Sequence, residues 1–328
     1  MATSSHPLEI PEMGGALASA QAVSLPPIRN VLLATDFSPA SQAALPYAYA
    51  ITRRFGGTLH IVHVLGPEPM IGPLGSPYLD VGRENELARQ KLVDFANTLS
   101  LSTVRHWKTL HRGPVCDVIF RLVDDWDIDL VILGTHGRHG LKYFILGSVA
   151  EYIIRHAASP VMTIGPGVCQ QGLFEGRFAR ILLATNFSSA SMSALKYALS
   201  MASADEGRLI LLHVVTREAT ETDEEYKEYV EHATIGASGH LEALVPTSLS
   251  IHHETLVRQS MSGESSPAEM IVQSAEETLA SLIVMGAHRS AVGAAHRPDA
   301  TVHRVVCTAT CPVMTVGCPS SESQARLS

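Results

Sequence analysis

The feature that most constrains this chain is an internal repeat. VLLATDFSPAS at residues 31–41 returns as ILLATNFSSAS at 181–191, and LHIVHV at 59–64 returns as LILLHV at 209–214. DLVILGTHGR at 129–138 returns as SLIVMGAHRS at 281–290, and SPVMTIG at 159–165 returns as CPVMTVG at 311–317. Four blocks recur in the same order at offsets of 150 to 152 residues. Two copies are too few for a solenoid, whose units need several neighbours to bury a continuous core. Each copy is long enough to be a domain, and 328 residues exceed the usual size of one. The expected organisation is a tail over 1–27, a domain over 28–166, a second over 178–317 and a tail over 318–328. The boundary falls in GPGVCQQGLFEGRFAR, and the Ala/Ser/Pro/Gly-rich start predicts a mobile tail.

Within each copy the apolar runs are continuous rather than alternating. VLLAT, LHIVHV, LVILG and VMTIG are rich in β-branched residues, as strands covered on both faces must be. Helices are expected between them. Ser38 and Pro39 form an N-cap and first-turn pair for a helix to about Phe55. Pro46 bends that helix, whereas the second copy has Lys196 there. Further helices are expected over 84–100, over 114–126 and from Ser148 onward. This alternation predicts an α/β fold with a parallel sheet and right-handed crossovers. Such sheets bind ligands beyond the carboxyl ends of their strands.

Composition excludes several functions. A net charge of −8 lacks the basic stripe that nucleic acid requires. No run of 18 apolar residues predicts a membrane span, and the start lacks the pattern of a signal peptide. The five cysteines have no zinc spacing, which suits reduced thiols and a cytoplasmic location; Cys307 and Cys311 read as a buried pair.

The segment richest in chemistry is GTHGRHGLKYFILGS, Gly134 to Ser148, lying between a strand and a helix. Gly134, Gly137 and Gly140 can take positive φ and let a ligand approach the backbone closely. Gly147 and Ser148 then open a helix, whose free N–H groups and dipole favour an anion. Arg138 and Lys142 add positive charge, and Ser148 adds a hydroxyl. These features point to a phosphate.

The spacing of Gly134, Gly137, Gly147 and Ser148 follows G-x2-G-x9-G-[ST]. With Thr35-Asp36-Phe37-Ser38, the His63-Val64 pair and the closing SPVMTI, this resembles the ATP-binding universal stress proteins over both repeats. The resemblance implies five-stranded parallel sheets of order 3-2-1-4-5, with helices on both faces, and pairing through the last strands, either within the chain or by self-association. It also implies an adenine nucleotide, ATP with or without magnesium. Thr35 and Asp36 would lie near the ribose and phosphates or a metal, and the Val64 backbone near adenine. Gly134, Gly137, Arg138, Gly147, Ser148 and Val149 would surround the phosphates.

The second copy departs from this pattern. Asn186 replaces Asp36, while Arg289, Asp299 and Ala300 stand where Gly137, Gly147 and Ser148 would be. The loop also contains Pro298, so this copy is expected to have lost ATP binding, unless His288, Arg289 and Arg297 bind another anion. Other candidates have simpler readings. His60 and His63 point to opposite faces of a strand, and His136 and His139 read as loop residues. Asp36 can also serve as a cap. Asp124, Asp125, Asp127 and Asp129 read as a solvated turn. The residues carry no fixed catalytic set for fast phosphoryl transfer, so binding with slow hydrolysis is expected, against a scaffold or a phosphotransferase.

Overall fold

The computed structural model describes residues 24–67, 81–98, 103–135, 146–168, 177–216, 223–260, 266–287 and 300–317. The first half runs β1 (Asn30–Ala34), α1 (Pro39–Phe55), β2 (Thr58–Leu65), α2 (Val81–Asn97), β3 (Arg105–Arg112), α3 (Val115–Asp125), β4 (Leu130–Gly134), α4 (Ser148–His156) and β5 (Val161–Ile164). The second repeats this series: β6 (Arg180–Ala184), α5 (Ser189–Asp205), β7 (Arg208–Thr216), α6 (Asp223–Ala243), β8 (His253–Ser260), α7 (Pro267–Glu277), β9 (Leu282–Ala287), α8 (Ala300–Thr308) and β10 (Val313–Gly317). The expected helix over 84–100 instead starts at Val81, and α3 is one residue shorter at each end than 114–126.

The expected helix start is present in α1. Ser38 has extended backbone, its hydroxyl accepts from the Ser41 N–H, and Pro39 opens the first turn. Ser188 and Ser266 cap α5 and α7 in the same way. Every strand pair within a half is parallel, and the sheet order is β3-β2-β1-β4-β5-β10-β9-β6-β7-β8. The halves meet where β5 and β10 run antiparallel, Met162 facing Met314. Pairing through the last strands is therefore intrachain. Thr163 donates its hydroxyl to the Val313 carbonyl at 3.2 Å, and Thr315 donates to Val161 at 3.2 Å.

Alternation along the strands divides the core into two layers. One face buries Val31, Leu33, Ile61 and Ile132 with their counterparts Ile181, Leu183, Leu211 and Val284, beneath α1, α2, α5 and α6. The other buries Leu32, Val131 and Leu133 with Leu182, Ile283 and Met285, beneath α3, α4, α7 and α8. Both layers continue across the seam. Further ties cross it: Arg54 pairs with the buried Asp205 at 3.2 Å, and Tyr47 stacks on Phe178 with centroids 6.2 Å apart. Among the described residues no helix is long and apolar enough to cross a membrane.

Candidate functional site

In the first half the carboxyl ends of β1, β2 and β4 converge. Thr35 leaves β1 with its N–H bonded to the Val62 carbonyl at 2.9 Å. Its hydroxyl lies 2.9 Å from that of Ser41 and accepts from the Phe37 N–H at 3.0 Å. Phe37 takes a left-handed φ of 65°, which turns the chain sharply into α1. Asp36 is half-buried in this turn, and its Oδ1 accepts the Ser38 N–H at 3.0 Å. Burial opposes its charge, but hydrogen bonds from Ser38, Ser41 and its own backbone prevail and hold the carboxyl below the usual carboxylate value. Capping and a carboxylate poised at the strand edge are thus compatible at Asp36.

Beneath the turn lies His63, to which the sequence assigned no role beyond its place in the His-Val pair. His63 is 4% exposed and donates its Nδ1–H to the Thr35 carbonyl at 2.7 Å. The Phe37 ring covers it at 4.3 Å. His60 is on the other face, stacked on Trp126 at 4.9 Å, as the strand alternation requires. The recurrence of His-Val at 63–64 and 213–214 was the available signal. His213 donates to the Thr185 carbonyl at 2.8 Å, and Phe187 repeats the left-handed turn at φ 59°.

Val64 is two residues beyond Val62, so its backbone N–H and C=O point to the same side, toward β1. The β1 ladder has ended by then, at Ala34 opposite Val62. The strand therefore presents a donor and an acceptor at its carboxyl end.

Gly134 does not use the positive φ open to glycine. A Cβ there would lie 2.7 Å from the Ala40 carbonyl carbon and 2.9 Å from the Ser41 nitrogen. It is glycine so that α1 can start against β4, and Gly286 is matched by Ala190 and Ser191 at 2.5 Å. Gly147 has extended backbone, φ −62° and ψ 141°, and donates its N–H to the Thr135 carbonyl at 2.8 Å. It caps α4 without a side-chain acceptor, so the N–H groups of Ser148 and Val149 open the helix with no side-chain cap. Ser148 and Val149 are exposed. Glu151, in the first turn of α4, is paired with Arg155.

Gly137, Arg138, Gly140, Lys142, His136 and His139 lie outside the described residues, as do His288, Arg289, Arg297, Pro298 and Asp299. Ala300 opens α8. In the second half Asn186 Oδ1 accepts the Ser188 N–H at 3.2 Å and the Ser191 hydroxyl at 3.2 Å, so the amide reproduces the turn without the charge. Asp129 differs from the expected solvated turn: its carboxylate accepts the Arg29 and Asn30 N–H groups at 2.7 and 2.8 Å, bracing the start of β1. Asp124, Asp125 and Asp127 are exposed.

Comparison with known proteins agrees with the repeat. The universal stress protein family model matches twice, over residues 27–165 and 177–317. Universal stress protein A homolog 1 of Coxiella burnetii is 32% identical over 141 residues, 42% of this chain and 95% of that protein. A universal stress protein of Mycolicibacterium smegmatis is 32% identical over 139 residues, 42% of this chain and 45% of its own length. The crystal structure of a universal stress protein from Archaeoglobus fulgidus shares the fold, with TM-score 0.63 and 20% identity over 88% of this chain and 98% of its own. Two matches of the family model in one polypeptide, each with its own five strands, show that this chain belongs to the universal stress protein family as a tandem, two-domain member.

Proposed function

We propose that the chain binds one adenine nucleotide, as ATP with or without magnesium, at the carboxyl edge of the first half. The observation that carries this reading is the start of α4. Gly147 and Ser148 end a G-x2-G-x9-G-S loop and open a helix that has no side-chain cap. A phosphate there meets free N–H groups and the positive end of the helix dipole. The phosphate group is assigned to Gly137, Arg138, Gly147, Ser148 and Val149, the adenine edge to the Val64 backbone, and the ribose side to Thr35 and Asp36. Gly134 contributes by letting α1 approach. A magnesium ion, where present, would be held between Asp36 and the phosphates; the lowered carboxyl of Asp36 suits that ligand.

The module is regulatory, acting in stress response through its nucleotide state, with hydrolysis slow at most. Fast transfer needs a metal, a water-orienting group and a cation fixed as a set. Asp36 is already engaged by Ser38 at the α1 turn. The units over 28–166 and 178–317 are taken as the two domains, the second without ATP, and the free thiols of Cys116, Cys307 and Cys311 suit the cytoplasm.

Calorimetric titration of the full chain tests this. One equivalent of ATP, lost in Gly147→Val while circular dichroism is unchanged, is the expected result. Two equivalents, or unchanged affinity in that variant, would overturn it.

A further inference from the structure

The turn after β6 diverts two backbone groups that the sheet would otherwise use. Thr185 leaves β6 with its N–H on the Leu212 carbonyl at 2.9 Å. One step further, a parallel ladder would place the Val214 N–H on the Thr185 carbonyl and the Phe187 N–H on the Val214 carbonyl. Neither bond forms among the described residues. The Thr185 carbonyl takes the Nδ1–H of His213 at 2.8 Å instead, and the Phe187 N–H goes to the Thr185 hydroxyl at 3.0 Å. The left-handed φ of 59° at Phe187 turns the chain away, and its ring rests 4.8 Å from that of His213. Half-buried Val214 is thus left with its N–H and C=O side by side at the end of β7, with no partner for either among the described residues. Such groups call for a partner from outside the chain.

A neighbouring donor and acceptor select a molecule with the complementary pair, such as an amino group beside a ring nitrogen. The first half makes the same edge at Val64 by the same diversion: His63 takes the Thr35 carbonyl at 2.7 Å, and the Phe37 N–H goes to the Thr35 hydroxyl at 3.0 Å. The halves differ where charge matters. Asn186 is exposed and neutral where the first half has Asp36. Its Oδ1 is taken by Ser188 and Ser191, which leaves the amide hydrogens as donors. Asp299 comes directly before α8, which opens at Ala300. A carboxylate beside a helix start competes with a phosphate for the free N–H groups and repels it.

We propose that the second half has a ligand site of its own, at Val214 and the Thr185–Phe187 turn, for an uncharged adenine nucleoside, a ligand class that rests on the nucleotide reading of the first half. The second copy has then kept the base edge and lost the phosphate end. One chain reads two chemical states of one molecule, phosphorylated in the first half and unphosphorylated in the second.

The test uses the full chain labelled with 15N-valine. The Val64 and Val214 amide signals are assigned by their loss in Val64→Ile and Val214→Ile, which gives one reporter in each half. ATP should move Val64 and leave Val214 in place. Adenosine added on top of ATP should move Val214 and slow its hydrogen exchange by roughly three- to tenfold, the ratio matching one net hydrogen bond. AMP should bind at Val214 more weakly than adenosine by roughly fivefold or more, the effect of two like charges about 4 Å apart in water. Val214→Pro removes the unpaired donor without touching the ladder, and should abolish the second adenosine equivalent while ATP affinity and circular dichroism stay unchanged. A Val214 signal that ignores adenosine up to its solubility would overturn the proposal. So would ATP moving Val214 as readily as adenosine does. A Val64 signal indifferent to ATP would sink the nucleotide reading of the first half, and the Val214 response to adenosine would still decide the second site.

Discussion

The imidazole of His63 and the carbonyl of Thr35 are joined at 2.7 Å across two adjacent strands. This bond fixes the Nδ1–H tautomer and holds the residue that precedes Asp36. It is also a buried bond, so its loss leaves a carbonyl without a partner. His213 and Thr185 repeat it at 2.8 Å.

His63→Ala and His213→Ala should each destabilise the fold by about 2–4 kcal/mol, combining an orphaned carbonyl with a cavity. Urea unfolding measures this. The two should part in ATP titration: His63→Ala weakens binding, and His213→Ala leaves it within about twofold of wild type. Equal effects on affinity would contradict the asymmetry of the halves.

Asp36→Asn has a natural control in Asn186, which accepts the same Ser188 N–H in the second half. The variant should therefore fold with stability within about 1 kcal/mol of wild type. Its affinity for ATP should fall more in magnesium than in EDTA, because the lost group is a carboxylate. Equal loss in both media would remove the metal from its role.

Gly134 and Gly147 should respond differently to alanine. Gly134→Ala drives a Cβ to 2.7 Å from the Ala40 carbonyl carbon and should cost about 1–3 kcal/mol. Gly147 has ordinary extended φ and ψ, so Gly147→Ala should change stability by under about 0.5 kcal/mol. Thermal melts of the two variants separate a packing glycine from one at a ligand-facing helix end.

Acid should weaken the fold through three histidines. Burial pushes His60 below the ordinary 6.5. Burial and then Arg121 lower His111, and burial lowers His213 against the opposing bond to Thr185. The unfolded chain then binds protons first as pH falls below about 6.5, so stability present above that value is lost toward the lower folded values. Asp205, raised by burial, acts in the opposite sense at lower pH. Melting at pH 7.5 should exceed melting at pH 5.5, and His60→Gln should narrow the gap.

Much of this fold was legible because its signals are local. Continuous apolar runs marked the strands, Ser38-Pro39 marked a helix start, and the repeat itself carried the duplication. Glycine spacing located the end of the loop, where Gly147 and Ser148 do open α4. What escaped is long-range. Thr35 and His63 are 28 residues apart and meet through a backbone atom, which no side-chain pattern announces. Gly134 was read as a ligand contact, but its constraint comes from Ala40 on another element. Asp129 looked like part of an acidic turn, but its partners are backbone groups 99 and 100 residues away. The start of α2 at Val81 was placed three residues late; Glu84 in its first turn is held by Arg112 of β3 at 2.6 Å.

The antiparallel contact of β5 with β10 lies within a single polypeptide. Two separate molecules meeting along such strands would come apart on dilution, each gaining translational freedom. Here the segment between Ile164 and Arg180 tethers them, and a short tether supplies an effective local concentration on the order of millimolar. The pairing therefore persists however scarce the protein is, and the partner beside the first half is always the same one.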